Sequence, residues 1–251
     1  MTESFDFIGA SGGQLTGRLE RPSGETIGWA IFAHCFTCGK DSLAAVRISR
    51  ALARRAIGVL RFDFAGIGAS AGEFARTTFA GNVADIAAAG EAMAEVGIRP
   101  ALLVGHSLGG AAVLSAAGAM QNVRAVGTIA APADVDHVLK HLGPEALAAI
   151  ERDGDGEIRL GNRSFAVRKS FIDALRRQDL TACVASLRTS LLFMHSPRDE
   201  TVDIGNAERL FRVAMHPKSF VSLGDADHLL TDKDDAVFAA DLIASWARRY
   251  L

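Results

Sequence analysis

The 251-residue chain reads as an α/β protein with a mostly parallel eight-stranded sheet and helices on both faces. Three observations predict this. Short apolar runs of strand length recur along the chain, and from the third onward stretches with helical spacing separate them, the pattern of a parallel sheet covered on both sides. The first two runs are joined by a tight turn instead, so the sheet starts antiparallel. The composition, 49% hydrophobic and 22% charged, can bury a large core and excludes disorder and coiled coil.

In chain order, residues 5–8 and 14–20 flank the turn Ser11-Gly12-Gly13 and predict a hairpin. Strands follow over 27–33, 57–62, 101–105, 123–130, 190–195 and 219–223, and helices over 43–55, 78–94, 108–119, 206–214 and 235–249. The alternation breaks over 133–187. There, 137–150 is helix-like, 151–156 is turn-rich, and 157–167 reads as a hairpin about Gly161-Asn162. We read 133–187 as a small lid or cap inserted into a single domain covering 1–251, because the six prolines are scattered and no linker or repeat is visible.

Lys and Arg number 27 against 29 Asp and Glu, a net charge of −2 without a basic cluster, which makes nucleic acid and anionic membrane poor partners. The apolar runs are far shorter than the roughly 20 residues that span a bilayer. The acidic start Met1-Thr2-Glu3-Ser4 is unlike a secretory leader, and three cysteines, an odd number, argue against a disulfide framework, so a cytoplasmic location is expected. A homodimer through the inserted segment or an edge strand stays open.

Chemistry enters at Gly105-His106-Ser107-Leu108-Gly109-Gly110, between the apolar run 101–104 and the Ala-rich helix that follows. A serine on a sharp strand-to-helix turn presents its hydroxyl at the carboxyl edge of the sheet, and glycines two residues either side let strand and helix approach. The serine needs a histidine to take its proton and a carboxylate to orient that histidine, and in this arrangement acid and then histidine follow the serine along the chain. Asp199 follows the strand over 190–195 and is the preferred acid. Glu200 and Asp203 are nearby alternatives, Asp203 reading more naturally as the N-cap of the next helix. His228, after the last strand, is where the base should fall. The other histidines, including His34, His106, His137 and His195, read as structural or solvated.

The negative oxygen of a tetrahedral intermediate needs two backbone N–H donors, one from Leu108 and one from the loop His34-Cys35-Phe36-Thr37-Cys38-Gly39-Lys40-Asp41, where Phe36 is the candidate. Cys35 and Cys38 have the spacing of a redox or metal motif but no second such pair, so zinc and thioredoxin chemistry are set aside. Gly66 and Gly68 lack the third glycine of a dinucleotide loop, leaving Asp63 as a turn former, and the acidic run 153–157 lacks the closing Glu of a calcium loop. No cofactor and no metal are therefore expected.

Together, Gly105-His106-Ser107-Leu108-Gly109, His34-Cys35-Phe36-Thr37, Arg61-Phe62-Asp63-Phe64 and Asp199 before His228 make the chain resemble the α/β-hydrolase superfamily over its whole length. The longer phrases about Phe32 to Asp41, Ala130-Ala131-Pro132-Ala133-Asp134 and His216-Pro217-Lys218 resemble the hydrolase half of bacterial bifunctional hydrolase/OsmC proteins. Feruloyl and cinnamoyl esterases are similar at greater distance. The resemblance implies the α/β-hydrolase fold and a serine carboxylesterase acting on small or short-chain esters. Two departures bear on it: Cys35 stands where such hydrolases usually carry Gly, and no OsmC-like segment follows Leu251, so peroxidase activity is not carried over. Thioesterase, aminopeptidase or acyltransferase chemistry on the same triad, and non-catalytic binding of a small ligand, are the alternatives.

Overall fold

The computed structural model describes residues 1–36, 38–160 and 163–251. The chain opens as the expected hairpin, with each arm interrupted once. β1 (Thr2–Ser4) and β2 (Phe7–Ile8) run out, and β3 (Gln14–Leu15) and β4 (Gly17–Glu20) return. Thr2 faces Glu20 and Phe7 faces Leu15 in one continuous register. The ladder opens at Thr16 because a later loop takes its backbone: Thr16 N–H donates to Ser70 Oγ, and its carbonyl accepts from Asp63 N–H.

Strands and helices then alternate as the spacing predicts: β5 (Gly28–Ala33), α1 (Leu43–Arg54), β6 (Ile57–Phe62), α2 (Phe79–Glu95), β7 (Leu102–His106), α3 (Leu108–Ala117) and β8 (Ala125–Ile129). Next come a 3₁₀ turn at Val135–His141, α4 (Pro144–Asp153), β9 (Asp155–Leu160), β10 (Arg163–Arg168), α5 (Lys169–Arg176) and α6 (Leu180–Ser186). The sheet resumes with β11 (Ser190–His195), α7 (Gly205–Val213), β12 (Lys218–Ser222) and α8 (Lys233–Ala247).

The eight-stranded sheet has the order β1-β4-β6-β5-β7-β8-β11-β12, antiparallel at β1, β4 and β6 and parallel from β6 to β12. Its central strands are covered on both faces, which explains why every residue of β6 and β11 is buried and most are apolar. Successive residues serve opposite cores: Ile31 of β5 packs toward α2 and α3, and Phe32 packs toward α1 and α8. No helix among the described residues is long and apolar enough to cross a membrane.

The segment between β8 and β11 differs from expectation. The helix-like stretch 137–150 is broken at Gly143, whose φ of +76° ends the 3₁₀ turn, and restarts at Pro144, the favoured first residue of a helix. The acidic run that begins at Asp153 is the end of α4, its left-handed cap Gly154 and the start of β9. β9 and β10 form the expected hairpin, with Leu160 facing Arg163; its turn residues Gly161 and Asn162 lie outside the described residues. Helices α5 and α6 bury Phe171, Ile172, Leu175 and Val184 in the same core as α2 and α3.

Candidate active site

Ser107 alone forms the turn between β7 and α3. Its φ of +55° and ψ of −125° lie in a region that residues with side chains avoid, a cost of order 1–3 kcal/mol that the surroundings must offset. They do so by a hydrogen bond from Ser107 N–H to Ile129 O and by the glycines on either side. A Cβ on Gly105 would stand 2.3 Å from Gly109 O, and one on Gly109 would stand 2.3 Å from Ala33 O and 2.4 Å from His34 O.

The loops after β7, β11 and β12 bring three of the expected side chains together at the carboxyl edge of the parallel strands. His228 Nε2 lies 3.0 Å from Ser107 Oγ, and His228 Nδ1 lies 2.7 Å from Asp199 Oδ2. A carboxylate only accepts, so Nδ1 carries the proton and Nε2 is free to accept from the serine hydroxyl. Asp199 Oδ1 accepts from Thr201 N–H (2.9 Å) and Val202 N–H (2.8 Å). Burial works against its charge, yet contacts with His195, His228 and Val202 N–H outweigh it and hold the carboxyl well below the usual carboxylate range. The rival acids are elsewhere: Glu200 is exposed, and Asp203 Oδ1 accepts from Gly205 N–H. Asp203 sits one residue ahead of the N-cap position expected for it, which Ile204 occupies.

Four features around this trio were not legible as such. His106 is buried and donates from Nε2 to the carbonyl of His228 at 2.7 Å. His195 donates from Nε2 to Val202 O at 2.7 Å. Ser196 donates to Gly224 O and accepts from Arg198 N–H, joining the acid loop to the histidine loop. His137, from the segment between β8 and β11, donates to Thr201 O. The only sequence signal for any of them was position, at a strand end or beside a strand-end loop.

The loop from His34 to Asp41 carries the other expected donor. Among the described residues, no backbone acceptor engages Phe36 N–H or Leu108 N–H. The loop is pinned at its far end by Lys40, whose Nζ and N–H both donate to Asp63, at 2.7 and 2.6 Å. Asp63 is thus a turn former, as read, and also the counter-ion of a buried lysine; these bonds hold its carboxyl low although burial opposes them. The cysteine reading needs correction. Cys35 and Cys38, with Cα atoms 5.4 Å apart, form a disulfide across the loop, and Cys183 is free. An odd count excludes complete pairing but not one local bridge. Among the described residues, no group of three or more His, Cys, Asp or Glu side chains could hold a metal ion.

The Phe36 ring stacks on Phe171 of α5 at 5.9 Å and lies 5.7 Å from Phe74. Together with Leu108 these rings line a pocket of about 20 Å³.

Comparison with known proteins adds independent findings. The sequence pattern of the Alpha/beta hydrolase family matches residues 30–250. The esterase domain of a Rhodothermus marinus protein is 44% identical, covering 100% of this chain and 99% of that one with a TM-score of 0.81. The ferulic-acid-bound Est1E from Butyrivibrio proteoclasticus is similar in fold, with a TM-score of 0.84 at 17% identity and 97% and 98% coverage. Alpha/beta hydrolase domain-containing protein 10 from mouse has a TM-score of 0.79 at 23% identity, with 98% and 99% coverage. Comparison with curated proteins gave no match.

Proposed function

The chain belongs to the alpha/beta hydrolase family, and on that premise we propose that it is a serine carboxylesterase in which Ser107, His228 and Asp199 form the catalytic triad. The observation that carries this reading is the unbroken relay of 3.0 Å from Ser107 Oγ to His228 Nε2 and 2.7 Å from His228 Nδ1 to Asp199 Oδ2.

Ser107 Oγ attacks the ester carbonyl while His228 Nε2 takes its proton, and Asp199 stabilises the imidazolium without itself becoming protonated. The carbonyl oxygen becomes an anion facing the N–H groups of Leu108 and Phe36; removing one such donor costs about 10²- to 10³-fold in rate in serine hydrolases. The intermediate collapses, the alcohol leaves with the proton from His228, and Ser107 is acylated. Water then attacks the acyl-enzyme with His228 as base, which returns Ser107 and releases the acid. No step calls for a metal or organic cofactor.

Small acyl groups are favoured because the space beside Leu108 is narrow and walled by Phe36, Phe74 and Phe171. Membership of the hydrolase/OsmC subgroup rests on the sequence phrases quoted above. The test is turnover of p-nitrophenyl acetate and butyrate. The wild type should hydrolyse both, favouring them over long-chain esters, and folded Ser107→Ala should fall to background. Undiminished hydrolysis by Ser107→Ala would exclude the assignment, whereas turnover of thioesters or amides in preference to esters would redirect it to those leaving groups.

A further inference from the structure

Asp199 is gripped through Val202, whose N–H donates to Oδ1 and whose carbonyl accepts from His195 Nε2. His195 is the last residue of β11, and its side chain is fully buried. Because a carbonyl only accepts, Nε2 carries the proton. The same nitrogen lies 3.4 Å from Asp199 Oδ2, the oxygen that faces His228. Its other nitrogen, Nδ1, is buried without a hydrogen-bond partner among the described residues.

An imidazole with an orphaned Nδ1, closing a strand that otherwise reads Ser190, Leu191, Leu192, Phe193 and Met194, carries a cost in stability; an apolar side chain would remove that orphan but would leave the Val202 carbonyl without its donor. Local rules are broken in this way at functional sites.

We propose that His195 is a positioning residue for Asp199. It fixes the Val202 carbonyl, and through that residue the N–H on Oδ1, while its own N–H edge faces Oδ2. The carboxylate then keeps one orientation, with a lone pair of Oδ2 aimed at His228 Nδ1. The inference rests on the triad reading above.

The experiment measures kcat and KM with p-nitrophenyl butyrate for His195→Gln, His195→Asn and His195→Phe, each also combined with Asp199→Asn. Gln places an N–H₂ group near the position of Nε2 and should retain kcat within about 3-fold. Asn is as polar but too short, and should lose about 10- to 100-fold in kcat at unchanged KM, as misplacement of a catalytic group does. His195→Phe should match Asn where it folds; where it does not, the Gln and Asn pair decides. With Asp199→Asn present, the Asn variant should cost no more than about 2-fold further, because its target is gone. Equal kcat for Gln and Asn, a loss confined to KM, or the same loss in both backgrounds overturns the proposal. An active wild type with indifferent His195 variants removes only this inference. A wild type that hydrolyses no ester and leaves Ser107 unlabelled by a fluorophosphonate removes the triad reading, and this inference with it.

Discussion

His106, the neighbour of the nucleophile, shows what a single buried side chain contributes. Its Nε2–H holds the carbonyl of His228, and burial, with His228 close by, pushes its pKa down to about 4. An unfolded histidine titrates near about 6.5, so between those values the unfolded chain binds more protons and stability rises with pH. The contribution is therefore complete above about pH 6.5 and is lost as pH falls toward 4. From pH 7 to pH 5 this residue alone should cost about 2 kcal/mol, roughly 4–8 °C in Tm for a chain of this size. His106→Gln keeps an N–H donor without the titrating ring, so its Tm should fall less over the same interval. Equal falls for variant and wild type would refute this account of His106. Ser107, Asp199 and His228 were legible because each follows a run that reads as a strand, Ser107 directly and the other two across a loop. His106 and His195 carry no such mark, since a histidine that binds a backbone carbonyl has a partner only folding supplies.

At the scale of elements, the turn into α3 depends on close backbone approach. Gly109 lies against the carbonyls of Ala33 and His34, the residues that lead into Cys35 and Phe36. Gly109→Ala should push α3 away from β5, costing about 1–3 kcal/mol as overpacked sites do, and should displace Phe36 N–H from the developing anion. The expected result is a lowered Tm together with a kcat loss larger than any change in KM; wild-type values for both would show that the contact is not needed. The glycines could be read from sequence because the turn itself requires them. The segment between β8 and β11 could not be read as fully. The break at Gly143-Pro144 was hidden inside one helical spacing, and α5 and α6 are too short to stand out until Phe171, Ile172 and Val184 meet α2 and α3. The disulfide escaped for a related reason: counting cysteines says nothing of a bend that brings Cys35 to Cys38.

Across the whole molecule, the sheet order places the ends of β5, β7, β11 and β12 along one edge, so residues up to 121 positions apart in the chain, Ser107 and His228, meet within hydrogen-bond distance. The parallel core was legible because doubly covered strands are mostly apolar, while the split in the first hairpin depends on Asp63 and Ser70 reaching back to Thr16. The central claim is that this edge holds an activated serine. It is tested most directly by treating the folded protein with a fluorophosphonate probe and locating the adduct by mass spectrometry, since covalent capture requires a working nucleophile and no knowledge of the natural ester. The account predicts a single adduct on Ser107, absent in Ser107→Ala and strongly slowed in His228→Ala. A folded protein that takes no label, or takes it at another residue, would contradict it.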